Sequence, residues 1–386
     1  MYKKMGKLSS ANCFSWRKWQ EGILFMATGS DQREPEVIVK RHLSMMEIIL
    51  NRPRVINALT TEMILQVRQA LDEAMQEDRY QFVLFLGTGS RGFCAGGDLK
   101  RLAKAVKEKS FSVADEFFRE EYGLDLFIHR FPKPVIVIAD GITMGGGLGI
   151  SSGADIVVAT EQTLMAMPET RIGFFPDVGA TGWMFPKCPR GYPEYLGLVG
   201  YEMEGPKCIH LGLANSLTRR VQLLRLRKVL QSFQGELTDD KTIATKHLKS
   251  YLPSFFQRDI PMNPGMDAWV ATHFAGKTSL PEIMDSLSRC GQEDRLCQDV
   301  YRRLSERSPT ALALTLALLR HNEGRSLEEV FAAETGAARF MIRHPDYLEG
   351  IRARILDKDD QPHWRPATIE EVTLPEVGLL IEKSSF

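Results

Sequence analysis

The chain has 386 residues, 44% of them apolar and 25% charged, with 49 lysines and arginines against 49 aspartates and glutamates. That length exceeds one typical core, so a large domain with a smaller companion is expected. The charge balance supplies no overall field for nucleic acid or an acidic membrane, and no apolar run approaches the roughly 20 residues of a membrane helix.

Residues 1–20 carry Lys3, Lys4, Lys7, Arg17 and Lys18 and no acid, interleaved with Ser9, Ser10, Ser15, Trp16 and Trp19. This is the composition of a mitochondrial targeting segment; a disordered basic tail is the plainer alternative. Residues 1–33 are set aside from the fold on that ground. The six cysteines (Cys13, Cys94, Cys188, Cys208, Cys290 and Cys297) form no CxxC pair and no metal-ligand spacing with histidine. Reduced thiols and no metal are therefore expected.

Ser44 to Leu50 reads as a strand closed by Asn51-Arg52-Pro53. Thr60 is placed to cap a helix, and Met63, Ile64, Val67, Ala70, Leu71, Ala74 and Met75 follow at helical spacing. Phe82 to Leu86, Val135 to Ala139 and Ile156 to Ala159 are short apolar runs, the pattern of buried strands. Ser112 to Phe131 is amphipathic, with Phe117, Leu124, Phe127 and Ile128 on one side. Such strands alternating with helices predict an α/β fold of βαβ-type units. After about residue 240 only helical patterns remain, around Asp267–Phe274, Pro281–Ser288, Asp294–Arg307, Pro309–His321 and Leu327–Arg343. The expected division is a core over 34–238 and a helical C-terminal region over 239–386, with the boundary near Gly235–Asp240.

Three stretches carry chemistry. Gly92-Phe93-Cys94-Ala95-Gly96-Gly97-Asp98 follows a strand, and its small residues let backbone amides approach a ligand. Asp140-Gly141-Ile142-Thr143-Met144-Gly145-Gly146-Gly147 also follows a strand and opens a helix, where peptide N–H groups are unpaired and the helix dipole is positive. Two such loops aimed at one carbonyl oxygen make an oxyanion hole. Each alone is equally readable as a tight strand-to-helix turn, and neither has the form of a nucleotide phosphate loop. In the third stretch Glu169 lies among Met167, Pro168, Ile172 and Phe174, where desolvation would raise its pKa and make it a better base. An ion pair with Arg171, or a capping role, is the plainer reading of Glu169. Asp177 follows an apolar run and is placed to return to the same pocket.

Taken together, and in order, these stretches resemble the crotonase (enoyl-CoA hydratase/isomerase) superfamily. The motifs are Leu50-Asn51-Arg52-Pro53, Asn57-Ala58-Leu59, the Phe93-Cys94-Ala95-Gly96-Gly97-Asp98 loop, the Gly145-Gly146-Gly147 loop and Met167-Pro168-Glu169. The resemblance implies a repeated ββα spiral, a homo-oligomer built from trimers, and acyl-CoA thioesters as substrates, with no other cofactor and no metal. It implies that the amides of Gly97 and Gly146 hold the thioester oxygen. Hydratases of the family carry a first glutamate where Gly149 stands here, and a second at Glu169. The 3-hydroxyisobutyryl-CoA hydrolase group shares that departure. It also shares Phe117 to Tyr122, Phe175-Pro176-Asp177-Val178-Gly179 and, more loosely, Glu349 to Ala353 and Pro362 to Pro366.

Resemblance to that group implies thioester hydrolysis in the mitochondrial matrix, as in valine catabolism. Glu169 would be nucleophile or general base, with Asp177 beside it. Glu121, which spacing cannot separate from Glu120, would meet the polar end of the acyl group. Ala95 would contact substrate. Arg54, just after the first strand, is a candidate for CoA phosphates and is equally readable as a solvated surface arginine. Trp183 departs from the glycine-rich continuation usual after Gly179 and is positioned to reshape the acyl pocket. Hydration or isomerisation of an enoyl-CoA is one alternative. Service in the small subunit of the mitochondrial ribosome, where similar proteins occur, is another.

Overall fold

The computed structural model describes residues 34–380 apart from 253, 258, 291–293, 376, 377 and 379. The basic segment at 1–33 lies outside the described residues.

The chain enters through an antiparallel pair, β1 (Val37–Arg41) and β2 (Met45–Leu50). Thr60 then caps α1 (Thr61–Gln76), its hydroxyl accepting from the Met63 N–H at 3.2 Å. There follow β3 (Phe82–Gly87), β4 (Gly92–Cys94), α2 (Leu99–Lys107), α3 (Phe111–His129), β5 (Val135–Ala139), β6 (Ile142–Met144), α4 (Gly146–Ser152), β7 (Ile156–Ala159) and β8 (Leu164–Ala166). β3, β5 and β7 join β1 and β2 in a six-stranded sheet, while β4, β6 and β8 lie in a second, four-stranded sheet. The chain thus steps from one sheet to the other and then into a helix, three times over. This is the expected ββα spiral. The three-residue strands of the second sheet escape pattern reading because they are embedded in the glycine-rich stretches.

The large sheet is buried on both faces, which is why its strands are apolar runs rather than alternating ones. Along β3, Val83 and Phe85 face the main core. Phe82, Leu84 and Leu86 face Leu226, Leu230 and Phe233, and Leu248 and Leu252 beyond them. Those residues belong to the segment that follows α5 (Ala180–Lys187), α6 (Tyr192–Val199), β9 (Met203–Glu204), α7 (Gly205–His210) and β10 (Ser216–Leu217), namely α8 (Leu223–Gln231) and α9 (Lys241–Tyr251). Glu47 is the one charge that β2 buries, and Arg227 of α8 answers it with two hydrogen bonds of 2.5 and 2.7 Å.

Past β10 the described residues contain helices and no strands: α10 (Pro264–His273), α11 (Leu280–Ser288), α12 (Arg295–Ser305), α13 (Pro309–Asn322), α14 (Leu327–Met341) and α15 (Pro345–Ile351) follow. The composition change at 235–240 falls in the coil between α8 and α9. From Glu36 onward the chain clusters as one compact unit.

Cys290 and Cys297 depart from the expected reduced state: they are joined as a disulfide, with Cα atoms 6.3 Å apart. Cys290 lies in the turn just past α11 and Cys297 in the first turn of α12, and their spacing in sequence gives no signal of the pairing. His273 of α10 lies 3.3 Å from Cys290 Sγ. Cys94, Cys188 and Cys208 are free thiols.

Candidate active site

The site forms where the ends of β4, β6 and β8 release three loops. Asn57 organises the first: its side-chain amide donates to the carbonyls of Thr88 and Phe93 at 3.1 and 2.9 Å. The loop then runs beside Leu59, whose N–H and carbonyl pair with Gly96 and Asp98. That pairing leaves the Gly97 N–H pointing elsewhere. Gly146 is the first residue of α4, where a peptide N–H has no intrahelical acceptor. Among the described residues neither amide donates a hydrogen bond within the protein. The loops meet edge on: Gly96, at φ +92°, would bring a Cβ to 3.4 Å from the Gly146 nitrogen. Both loops are therefore strand-to-helix turns, and both also present a free amide to the same space.

Glu169 opens a 3-10 turn over Glu169–Ile172. Its carboxyl reaches back over the second loop, where a Cβ on Gly145 would lie 3.3 Å from Glu169 Oε1. The plainer readings of this residue fail: Arg171 pairs with Asp360, and Glu169 Oε2 is buried without a partner. Burial first, and then the neighbouring Asp177, push the Glu169 carboxyl well above the usual range. Asp177 sits at about 7, raised by burial and pulled back by the Tyr122 hydroxyl, which donates to its Oδ2 at 2.8 Å.

Helix phase on α3 separates the two adjacent glutamates. Glu120 pairs with Arg119 at the surface, whereas Glu121 is buried against α4. A Cβ on Gly146 would overlap Glu121 Oε1, which has no hydrogen-bond partner. One turn further, Asp125 packs against Gly149, and a Cβ at Gly149 would collide with Asp125 Oδ2.

A cavity of about 60 Å³ brings these groups together: Ala95, Gly97, Gly146, Glu121, Glu169 and Asp177 line it, with Phe117, Phe118, Phe174 and Tyr347 as apolar walls. Ala95, Leu99, Gly145, Glu169 and Ile172 also border a larger outer cavity of about 440 Å³, which carries Arg171, Arg354 and Lys358. Arg54 stands apart, exposed on the turn Pro53–Val55 and absent from the lining of either cavity. Lys100, Lys104 and Lys107 of α2, the helix that follows the first loop, line a third cavity with Arg352 and Arg365.

Trp183 does not line the inner cavity. Its indole N–H donates to the Val178 carbonyl at 3.0 Å, behind the turn that presents Asp177. Val178 holds φ +54°, an uncommon conformation for a β-branched residue. Glu334 of α14 fixes the same turn, accepting from the Gly179 N–H at 2.6 Å and from the N–H and hydroxyl of Thr181 at 3.1 and 2.5 Å. Tyr122 belongs to a shared motif without its role being readable there, and Glu334 and Tyr347 lie in no motif, reaching the site from more than 150 residues beyond Gly179 and Glu169 in sequence.

Comparison with known proteins agrees with this geometry. Residues 45–380 match the enoyl-CoA hydratase/isomerase family. The chain is 34% identical over 340 residues to a chicken (Gallus gallus) protein called 3-hydroxyisobutyryl-CoA hydrolase, mitochondrial, covering 88% of this chain and 86% of that one. It is 34% identical over 352 residues to the human protein of the same name, covering 91% and 89%. Among solved structures, a carnitinyl-CoA dehydratase from Mycobacterium thermoresistibile superposes with a TM-score of 0.79 at 30% identity, over 90% of this chain and 96% of that one. An enoyl-CoA hydratase from Rhodobacter sphaeroides does so with a TM-score of 0.79 at 29% identity, over 90% and 97%. Motifs, spiral fold and loop geometry converge on one ancestry: the chain belongs to the crotonase, or enoyl-CoA hydratase/isomerase, family.

Proposed function

We propose that the chain hydrolyses 3-hydroxyisobutyryl-CoA to 3-hydroxyisobutyrate and CoA, in the mitochondrial matrix. The observation that carries hydrolysis over hydration is the contact at Gly149. The hydratases' first glutamate has no room there, because Asp125 occupies the space beside the glycine. Glu169, whose carboxyl lies over the second glycine loop, is left to act as the hydrolytic base or nucleophile, with Asp177 and Glu121 in the same cavity. The curated relatives at 34% identity bear the hydrolase name, and hydrolysis needs only one such group.

The thioester oxygen accepts from Gly97 and Gly146, which stabilise the negative charge that develops as the carbonyl carbon becomes tetrahedral. Along one route ionised Glu169 takes a proton from water while the water oxygen adds to that carbon. Along the other, Glu169 itself adds, and an anhydride is then opened by water. In both, the C–S bond breaks and the CoA sulfur leaves. Asp177, titrating at about 7, is matched to deliver a proton to the leaving thiolate or to orient the water. The small inner cavity suits a short branched acyl group. The outer cavity suits the pantetheine arm, and the lysines of α2 with Arg352 and Arg365 complement the CoA phosphates.

The test is a paired assay with purified protein: release of free thiol from 3-hydroxyisobutyryl-CoA, and loss of the conjugated absorbance of methacrylyl-CoA. Thiol release without loss of enoyl absorbance is expected. Hydration without thiol release would replace the hydrolase reading with a hydratase one.

A further inference from the structure

Tyr347 is a buried hydroxyl that the mechanism above does not use. It sits in α15, in the C-terminal helical region, yet it is wholly inaccessible and lines the inner cavity beside Glu121, Glu169 and Asp177. Its ring packs on Phe174 at 5.6 Å between centroids. Its hydroxyl has no hydrogen-bond partner in the protein. Burial, and then the charges of Asp177 and Glu121, hold the phenol above its usual range. The phenol therefore shares the inner cavity with those carboxyls as a protonated group.

The helix that carries Tyr347 is fixed to the turn that carries Glu169. A Cβ on Gly173 would overlap the Asp346 carbonyl, and a Cβ on Gly350 would overlap the Ile172 carbonyl, so the two backbones touch directly at both places. Asp346 adds a lock of its own, accepting from the Ser308 hydroxyl at 2.6 Å and the Arg365 N–H at 2.8 Å. An orphaned, buried hydroxyl costs about 1–3 kcal/mol, and a rigid mount gives it no means to turn away. Such a group is explained if the substrate supplies its partner.

We infer that Tyr347 is a specificity-determining residue that donates a hydrogen bond to the 3-hydroxyl oxygen of the acyl group. The inference rests on the hydrolase reading and deepens it. The thioester oxygen already has its two donors at Gly97 and Gly146. The other polar side chains lining the inner cavity, Glu121, Glu169 and Asp177, are carboxyls, which offer acceptor oxygens in either protonation state, and Tyr347 is the hydroxyl of that lining, a donor throughout. A substrate hydroxyl both donates and accepts. A carboxyl takes its proton, and Tyr347 supplies the donor its oxygen needs. A thioester lacking the hydroxyl leaves the phenol unpaired, which is how a polar site rejects an apolar isostere.

The experiment compares 3-hydroxyisobutyryl-CoA with isobutyryl-CoA, which differs only in that hydroxyl, on wild type and Y347F. The readout is the ratio of the two kcat/KM values. Wild type is expected to favour the hydroxyacyl thioester, and Y347F to lower that preference about tenfold. The same two thioesters are titrated calorimetrically into E169Q and the E169Q/Y347F double variant, where the ratio of Kd values should fall equally. An unchanged ratio, equal losses on both thioesters, or no preference in wild type would each overturn the assignment. If wild type hydrolyses neither thioester, the hydrolase reading fails, and the Kd ratio still decides the role of Tyr347.

Discussion

Replacing Tyr122 by phenylalanine removes one oxygen atom and keeps the ring packed on Phe118 and Phe331. What is lost is the 2.8 Å hydrogen bond to Asp177 Oδ2. Burial raises the Asp177 pKa, and this bond is the first of the influences that lower it again, leaving it at about 7. A hydrogen bond to a charged group contributes about 1.5–3 kcal/mol, and about 1.4 kcal/mol corresponds to one pH unit. Y122F should therefore move the acidic limb of activity upward by about one unit, because the Glu169/Asp177 pair then holds its proton to higher pH. Activity rises with pH through this limb, since one carboxyl of the pair must be ionised as base while the other keeps its proton for the leaving thiolate. The assay is kcat/KM for thiol release between pH 5 and 9, roughly the range in which such limbs are read. A limb that stays in place, or moves to lower pH, would refute the assignment of the near-neutral titration to Asp177.

D177N removes a negative charge that raises the Glu169 pKa, so the residual activity should titrate at lower pH than in wild type, and kcat should fall by about 10²-fold or more. G146A drives a methyl group into Glu121 Oε1 and displaces one oxyanion donor; kcat should drop about 10²–10³-fold in the thiol-release assay. E334Q turns an N–H toward the donors at Gly179 and Thr181, and should cost about 1–3 kcal/mol in chemical denaturation while lowering kcat through the Asp177 turn. Single turnover in ¹⁸O-labelled water tests the anhydride route: label recovered in the Glu169 carboxyl requires an anhydride opened at the Glu169 carbonyl, and label confined to the product acid shows that water adds at the acyl carbon.

Much of this site is legible in the chain because its chemistry is local. Gly97 and Gly146 are readable because each lies in a run of small residues after a strand, where a Cβ would strike Phe117 or Glu121, and Glu169 because an apolar setting for a carboxylate is conspicuous. The strands of the large sheet are legible because both faces are buried. Other parts depend on contacts made late in the fold. The choice between Glu121 and Glu120 needs the rotation of α3 relative to α4. Tyr122, Glu334 and Tyr347 carry ordinary helical spacing and show their roles only once α3, α14 and α15 are docked. Arg54 illustrates the converse: a basic residue beside a motif, standing at the surface away from both cavities. Trp183 likewise changes the support of the Asp177 turn rather than the acyl wall.

The most direct measurement is thiol release from 3-hydroxyisobutyryl-CoA by wild type and E169Q at one pH above the acidic limb. Retained binding with a fall in kcat of about 10²–10⁴-fold is the expected result for loss of the group that activates or forms the attacking oxygen. Equal turnover by the two proteins would show that bond cleavage does not pass through this carboxyl.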